Sequence, residues 1–178
     1  MMQSETMLSM PKAIRVYVHY VDLINKYVGL FAMYLIFAML GILLFSSVSK
    51  SFFTPSLWTL EVAQFTMVAY YLLGGGHSLQ LGSHVRMDLL YGNWKPRTQA
   101  WVDTFTVLFL IFFLAILLYG GISSTIYAIK YGETSRSIWA PHMAPIKVIM
   151  DIGIFLTLLQ SIAILFKNIA KATNRSFS

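Results

Sequence analysis

Long runs without charge are the feature that most limits what this chain can fold into. No Asp, Glu, Lys or Arg occurs in residues 27–49, 62–85 or 104–129, and a fourth, shorter run covers residues 152–166. A helix needs about 20 mostly apolar residues to cross the hydrocarbon core of a membrane. The first three runs meet this length outright. The fourth meets it if the charged residues just before it lie at the membrane edge, where a charge costs little.

These runs predict an all-α membrane protein with four transmembrane helices, folded as one domain over residues 1–178. The predicted spans are about 27–48, 60–82, 103–130 and 145–167. Two prolines support the starts of the later helices, because Pro96 and Pro145 suit the first turn of a helix.

The composition excludes several other classes of protein. Charged residues make up 11% of the chain and hydrophobic residues 57%, whereas a soluble domain carries about 25% charged residues. The chain has no cysteine, which excludes disulfides, thiolate catalysis, cysteine zinc sites and covalently attached haem. The net charge is +6, but the basic residues lie between the spans, so they indicate membrane orientation rather than nucleic-acid binding.

Residues 11–26 are predicted to form an amphipathic helix at the membrane interface. Their charged residues and a histidine recur at spacings of 3 and 4, which places them on one narrow helical stripe: Lys12, Arg15, His19, Asp22 and Lys26. The remaining surface is apolar, which fits a helix lying in the plane of the lipid headgroups with its stripe toward water. The alternative is a cytosolic extension of the first span.

The distribution of Lys and Arg predicts the orientation. Nine of the 13 lie in the N-terminal segment, the 83–103 loop and the C-terminal tail, and four lie in the two other loops. Because basic residues are retained on the cytoplasmic side, both termini are predicted to lie in the cytoplasm.

The second span carries a polar face. Glu61, Gln64, Tyr71 and Ser78 share one side of this helix, and lipid cannot hydrogen-bond them. One interpretation is an ion or proton path. The interpretation that we favour is a contact face with another helix or subunit, because no second buried carboxylate accompanies Glu61.

Small residues in the same span predict close helix packing. Gly74, Ser78 and Gly82 recur every fourth residue, and Gly75 extends the small surface. A broken helix that exposes its backbone to a solute is the alternative, but such helices tend to occur in pairs in repeated halves, and the sequence has no counterpart.

The sequence predicts neither a cofactor site nor an enzyme. His77 and His84 lie on one segment, whereas bis-histidine haem ligation needs imidazoles from facing helices. No phosphate loop, catalytic triad or metal cluster occurs, and the spans carry no charge near mid-depth. We therefore expect a scaffold for a larger membrane partner.

A series of short motifs follows a recognisable order along the chain: Trp58 and Glu61, the glycine-rich stretch, His84-Val85-Arg86-Met87-Asp88, Glu133-Thr134-Ser135, Trp139, Pro141, Pro145, Lys147, Gly153 and Leu159-Gln160. This order resembles the small membrane subunit, of the DctQ type, of tripartite ATP-independent periplasmic (TRAP) transporters. The resemblance covers nearly the whole chain.

This resemblance implies a bacterial inner-membrane subunit that braces a large, sodium-coupled subunit. A periplasmic binding protein would deliver a carboxylate-bearing solute to that large subunit, and membrane lipids would surround both. His84, Arg86 and Asp88 match a cytoplasmic-loop motif of the family, and Glu133 and Ser135 match a periplasmic-loop motif. The resemblance implies structural roles for all five.

Two other functions remain open at the level of sequence. One is a haem- or quinone-associated membrane anchor of a respiratory complex, which a haem absorption band would favour. The other is a small channel or exporter that works alone, which transport by the isolated chain in liposomes would support.

Overall fold

The computed structural model describes residues 12–52, 56–81 and 96–174. These residues form four helices, named here in chain order: α1 (Lys12–Phe52), α2 (Thr59–Gln80), α3 (Pro96–Tyr131) and α4 (Ala144–Asn174). The predicted all-helical fold is confirmed for this part of the chain. Each predicted span falls on one helix, and α3 begins at the predicted proline.

Among the described residues, three stretches of helix are long and apolar enough to cross a membrane: Lys12–Phe52, Trp101–Tyr131 and Ala144–Ala170. Helix α2 is not among them, because polar residues such as Glu61, Gln64 and His77 and a glycine triplet lower its apolar content. The structure therefore supports a membrane protein with three such helices, and a fourth span at α2 stays a prediction.

The predicted separate helix over residues 11–26 requires correction. Residues 12–26 are the first part of α1 and continue without a break into the first predicted span. The apolar surface that suggested contact with lipid is instead partly covered by α4, where Val18 and Val21 pack on Ala163. With 41 residues, α1 is about 60 Å long, about twice the thickness of the hydrocarbon core.

Three of the helices form a mutual bundle and the fourth packs beside it. Helices α1, α2 and α4 contact one another pairwise, while α3 packs mainly on α4. The buried residues of α1 recur at spacings of 3 and 4 along much of its length: Val18, Val21, Asn25, Gly29, Ala32, Ser46 and Ser49. This spacing keeps one seam of a helix against its neighbours, and most of the seam residues are small, so the helices approach closely.

The connection between α3 and α4 is a compact, hydrogen-bonded loop. Gly132 adopts φ +59°, and the next residue, Glu133, donates its backbone N–H to the carbonyl of Ala128 at 3.0 Å. This is the Schellman arrangement that ends many helices, and glycine adopts its left-handed conformation without steric cost. Ser135 then donates its backbone N–H to the carbonyl of Pro141 at 2.9 Å, which closes the loop above α4.

Candidate functional site

The glycine triplet of α2 lies where this helix meets both α1 and α4. A Cβ atom on Gly74 would lie 4.0 Å from the Cβ of Ala32 in α1, and one on Gly75 would lie 3.3 Å from Oγ1 of Thr157 in α4. A Cβ on Gly76 would collide with the side-chain oxygen of Asn25. The triplet therefore lets one helix pack against two neighbours at once, while Ser78 is half-buried beside it.

The helices α1 and α4 also place glycines at their contacts with α2. A Cβ on Gly29 of α1 would collide with the side chain of His77. A Cβ on Gly153 of α4 would lie 2.8 Å from the carbonyl carbon of Leu72 and 2.9 Å from its oxygen. Because the obstacle at Gly153 includes backbone, a change of rotamer cannot relieve it, and α2 and α4 approach closely at this glycine.

A buried carboxamide pair links α1 to α4. Nδ2 of Asn25 donates to Oε1 of Gln160 at 3.0 Å and to the carbonyl of Val21 at 3.0 Å. Asn25 and Gln160 are 1% and 0% exposed, so the bond between them is shielded from water and from lipid. Oδ1 of Asn25, in contrast, accepts no hydrogen bond from any residue that the structure describes.

An ion pair extends this network toward the end of the bundle. Asp22 accepts a hydrogen bond from Nε2 of Gln160 at 2.8 Å and pairs with Nζ of Lys167 at 2.7 Å. The sequence placed Asp22 on a stripe facing water, which is wrong for this residue. Its side chain faces α4, where Gln160 donates a hydrogen bond and the ammonium group of Lys167 neutralises the carboxylate in place of solvation by water.

The four residues of the predicted polar face of α2 differ in how deeply they are buried. Glu61 is buried at 8% exposed, and its Oε2 atom accepts no hydrogen bond from any residue that the structure describes. Nearby in sequence, Thr59 donates to Oγ of Ser46 in α1 at 3.0 Å. Gln64 and Tyr71, in contrast, are exposed on the outside of the helix, so the four residues do not form one site.

A partly buried hydrogen bond joins α3 and α4. Oγ1 of Thr125 donates to Oδ2 of Asp151 at 2.6 Å, and a Cβ on Gly121 would collide with the other carboxylate oxygen of Asp151. The fourth predicted span requires Asp151 to lie at the membrane edge. In the structure its carboxylate lies against a glycine of α3, and its hydrogen bond with Thr125 links the two helices.

The predicted loop residues Glu133 and Ser135 have structural contacts. The carboxylate of Glu133 pairs with Nζ of Lys147 in the first turn of α4, and the backbone of Ser135 closes the loop through Pro141. The first contact holds the loop to the helix that follows it, and the second closes the loop on itself. The remaining predicted motif residues, His84, Arg86 and Asp88, lie outside the described residues.

Residues 12–52, 56–81 and 96–174 contain no group of three or more His, Asp or Glu side chains that could hold a metal ion. The imidazole of His77 lies against the backbone of Gly29, with Nδ1 at 3.3 Å from Oε1 of Gln80. His19 and His142 are exposed. These three histidines therefore do not face one another across the bundle.

Sequence reasoning missed the buried carboxamide contact between Asn25 and Gln160. Asn25 falls within a segment that was interpreted as an apolar surface, and Gln160 was noticed only as part of a family resemblance. A signal was present in the spacing, because Asn25 lies four residues before Gly29 and seven before Ala32. Polar and small residues on one helical face indicate a seam between membrane helices.

Comparisons with known proteins give one match. No curated protein and no solved structure matches the chain. The family model described as "Tripartite ATP-independent periplasmic transporters, DctQ component" matches residues 39–171, which is most of the 178 residues and covers α2, α3 and nearly all of α4. The match confirms the resemblance drawn from the motifs, and the chain belongs to the DctQ family of TRAP transporter components.

Proposed function

We propose that this chain is the small scaffold subunit of a sodium-coupled TRAP transporter. It braces the large transporting subunit, which takes up a carboxylate-bearing solute delivered by a periplasmic binding protein. The observation that carries this proposal is the family match over residues 39–171. Sodium coupling, the class of solute and the bracing role are implied by the family.

The hydrogen bonds and ion pairs that polar side chains make between helices of the bundle support a bracing role. Asn25, Gln160 and Asp151 bond to neighbouring helices rather than lining an open path, and Lys167 neutralises Asp22. A subunit that carries solute needs polar groups that exchange partners during transport. Groups that are already paired across helices instead stabilise one arrangement, which suits a fixed support.

Four membrane spans remain our proposal for the topology. Helix α2 packs on both α1 and α4, and these two neighbours are long and apolar enough to span. A helix held between two spans is screened from lipid over most of its surface, so it tolerates more polar residues than a span that faces lipid. The reduced hydropathy of α2 is therefore compatible with a span.

The proposed location is the bacterial inner membrane, with both termini in the cytoplasm. The nine-to-four distribution of Lys and Arg supports this orientation. It places the Glu133–Lys147 ion pair on the periplasmic side and the motif of His84, Arg86 and Asp88 on the cytoplasmic side. Labelling of a cysteine at Asn93 by an impermeant reagent in intact cells would contradict it.

Copurification tests the proposed function. The tagged chain, coexpressed with the large TRAP subunit, is expected to retain that subunit through detergent extraction and affinity purification, because a scaffold must stay bound. The product is expected to show no haem absorption band. Recovery of the chain without the large subunit, or recovery with a haem band, would contradict the proposal and favour the respiratory-anchor alternative.

A further inference from the structure

One narrow stripe of α2 faces outward from the bundle. It consists of Leu60, Gln64, Met67 and Tyr71, whose spacings of 4, 3 and 4 place them on one side of the helix. Leu60, Met67 and Tyr71 are 49%, 45% and 62% exposed, and Gln64 is exposed as well. Much of the remaining surface of α2 is at least partly covered by α1 and α4, so this stripe is where α2 is open to another molecule.

Gln64 makes lipid an unsuitable neighbour for the stripe. It is the only exposed carboxamide among the side chains that the structure describes, and no described residue hydrogen-bonds to it. A carboxamide has two N–H donors and an oxygen. A carbonyl of its own helix can accept one N–H, as that of Val21 does from Asn25, but the other groups need partners that lipid cannot supply.

The exposed surface of α3 carries aromatic and hydroxyl side chains but, among the side chains described, no carboxamide. Phe105, Phe109, Phe112 and Phe113 are each more than half exposed and carry no polar atom in their side chains. Ser123 and Ser124 are exposed there too, but a serine hydroxyl can bond to the carbonyl four residues earlier in its own helix. Ser161 bonds in this way in α4.

We propose that the stripe Leu60–Gln64–Met67–Tyr71 is the contact surface for one transmembrane helix of the large subunit. That helix presents a hydrogen-bonding side chain to Gln64 and an acceptor or donor to the hydroxyl of Tyr71, while Leu60 and Met67 supply apolar contact between them. This inference rests on the proposed function, which supplies the partner, and adds the surface that the partner occupies.

Variants of the stripe test the proposal in the coexpressed complex. Gln64→Leu and the double change Gln64→Leu with Tyr71→Phe remove hydrogen bonds and keep the apolar bulk. Interhelical hydrogen bonds in membranes contribute about 0.6 and at most about 1.7 kcal/mol, so we expect a loss of affinity of roughly 3- to 20-fold. Tyr119→Phe is the matched control, because Tyr119 is 80% exposed on α3 and should leave the affinity unchanged.

A photo-crosslinking amino acid in place of Met67 identifies the molecule that contacts the stripe. The same amino acid in place of Phe112 of α3 is the control. We expect an adduct with the mass of the large subunit from residue 67 and none from residue 112. An adduct with a second copy of the chain, an adduct with lipid alone, or an adduct with the large subunit only from residue 112 would overturn the proposal.

An incorrect function and an incorrect contact surface would give different results in these experiments. If the wild-type chain does not retain the large subunit, the proposed function is wrong. If the wild-type chain retains it but the stripe variants bind as well as wild type, the function stands and the proposed surface is wrong.

Discussion

Replacing Gly153 with leucine is expected to separate α2 from α4 and to leave little correctly folded protein. The Cβ atom alone would lie 2.8 Å from the carbonyl carbon and 2.9 Å from the Cβ of Leu72, so the new side chain meets backbone that cannot rotate away. Overpacking in a well-packed interior costs about 1–3 kcal/mol. A leucine at this position adds three carbon atoms beyond the one that already collides, so we expect a cost at the upper end or above.

The measurement is the yield of monodisperse protein in mild detergent, together with the denaturant concentration at which helix content is lost. Gly120→Ala in α3 is the control, since a Cβ there meets nothing within 4 Å and alanine favours a helix by about 0.5–1 kcal/mol. Gly74→Ala should also be tolerated, because its Cβ would lie at an ordinary 4.0 Å from that of Ala32. Wild-type yield and stability in Gly153→Leu would show that α2 and α4 are not in close contact.

Gln160→Leu is expected to cause the second large loss of stability. Gln160 is fully buried and joins Asn25 to Asp22, so leucine leaves an amide and a carboxylate each without one hydrogen bond. Leaving a buried polar group unpaired costs about 1–3 kcal/mol, while hydrogen bonds between membrane helices measure lower, near 0.6 kcal/mol. We expect a total of about 2 kcal/mol for the two lost bonds.

The free energy of unfolding of the isolated chain, measured in mixed detergent micelles, tests this value. Gln64→Leu is the matched control, because the same chemical change is made at an exposed carboxamide outside the bundle. It should leave the stability of the isolated chain unchanged. Equal stability of the two variants would mean that the contact between Asn25 and Gln160 contributes nothing to the fold.

The helices themselves were predictable from the sequence because the membrane imposes a length on each apolar run. The start of α3 at Pro96 was predictable for a local reason, since a proline at the first helical position loses no hydrogen bond. The family was predictable from the order of motifs. None of these inferences needed knowledge of which helices touch.

The neighbours of each side chain were harder to predict because they depend on how the helices are arranged. Asp22 was placed in water by its helical stripe, and its contacts with Gln160 and Lys167, 138 and 145 residues later in the chain, show that it faces α4. Glu61 and Gln64 share a helical face by spacing, yet the structure buries the first and exposes the second. A pattern gives the side of a helix on which a residue lies, and the packing decides what covers that side.

The central claim is that this chain holds the large subunit in place without contacting the solute. It is tested most directly by sodium-driven uptake in liposomes that contain the large subunit and the binding protein, with competing carboxylate solutes, in the presence and absence of this chain. We expect uptake only when the chain is present. We also expect the same order of solute preference with the wild-type chain and with variants at Glu61, His77, His84 and Glu133. Full uptake without the chain, or an altered solute preference in a variant that retains normal complex yield, would contradict the claim.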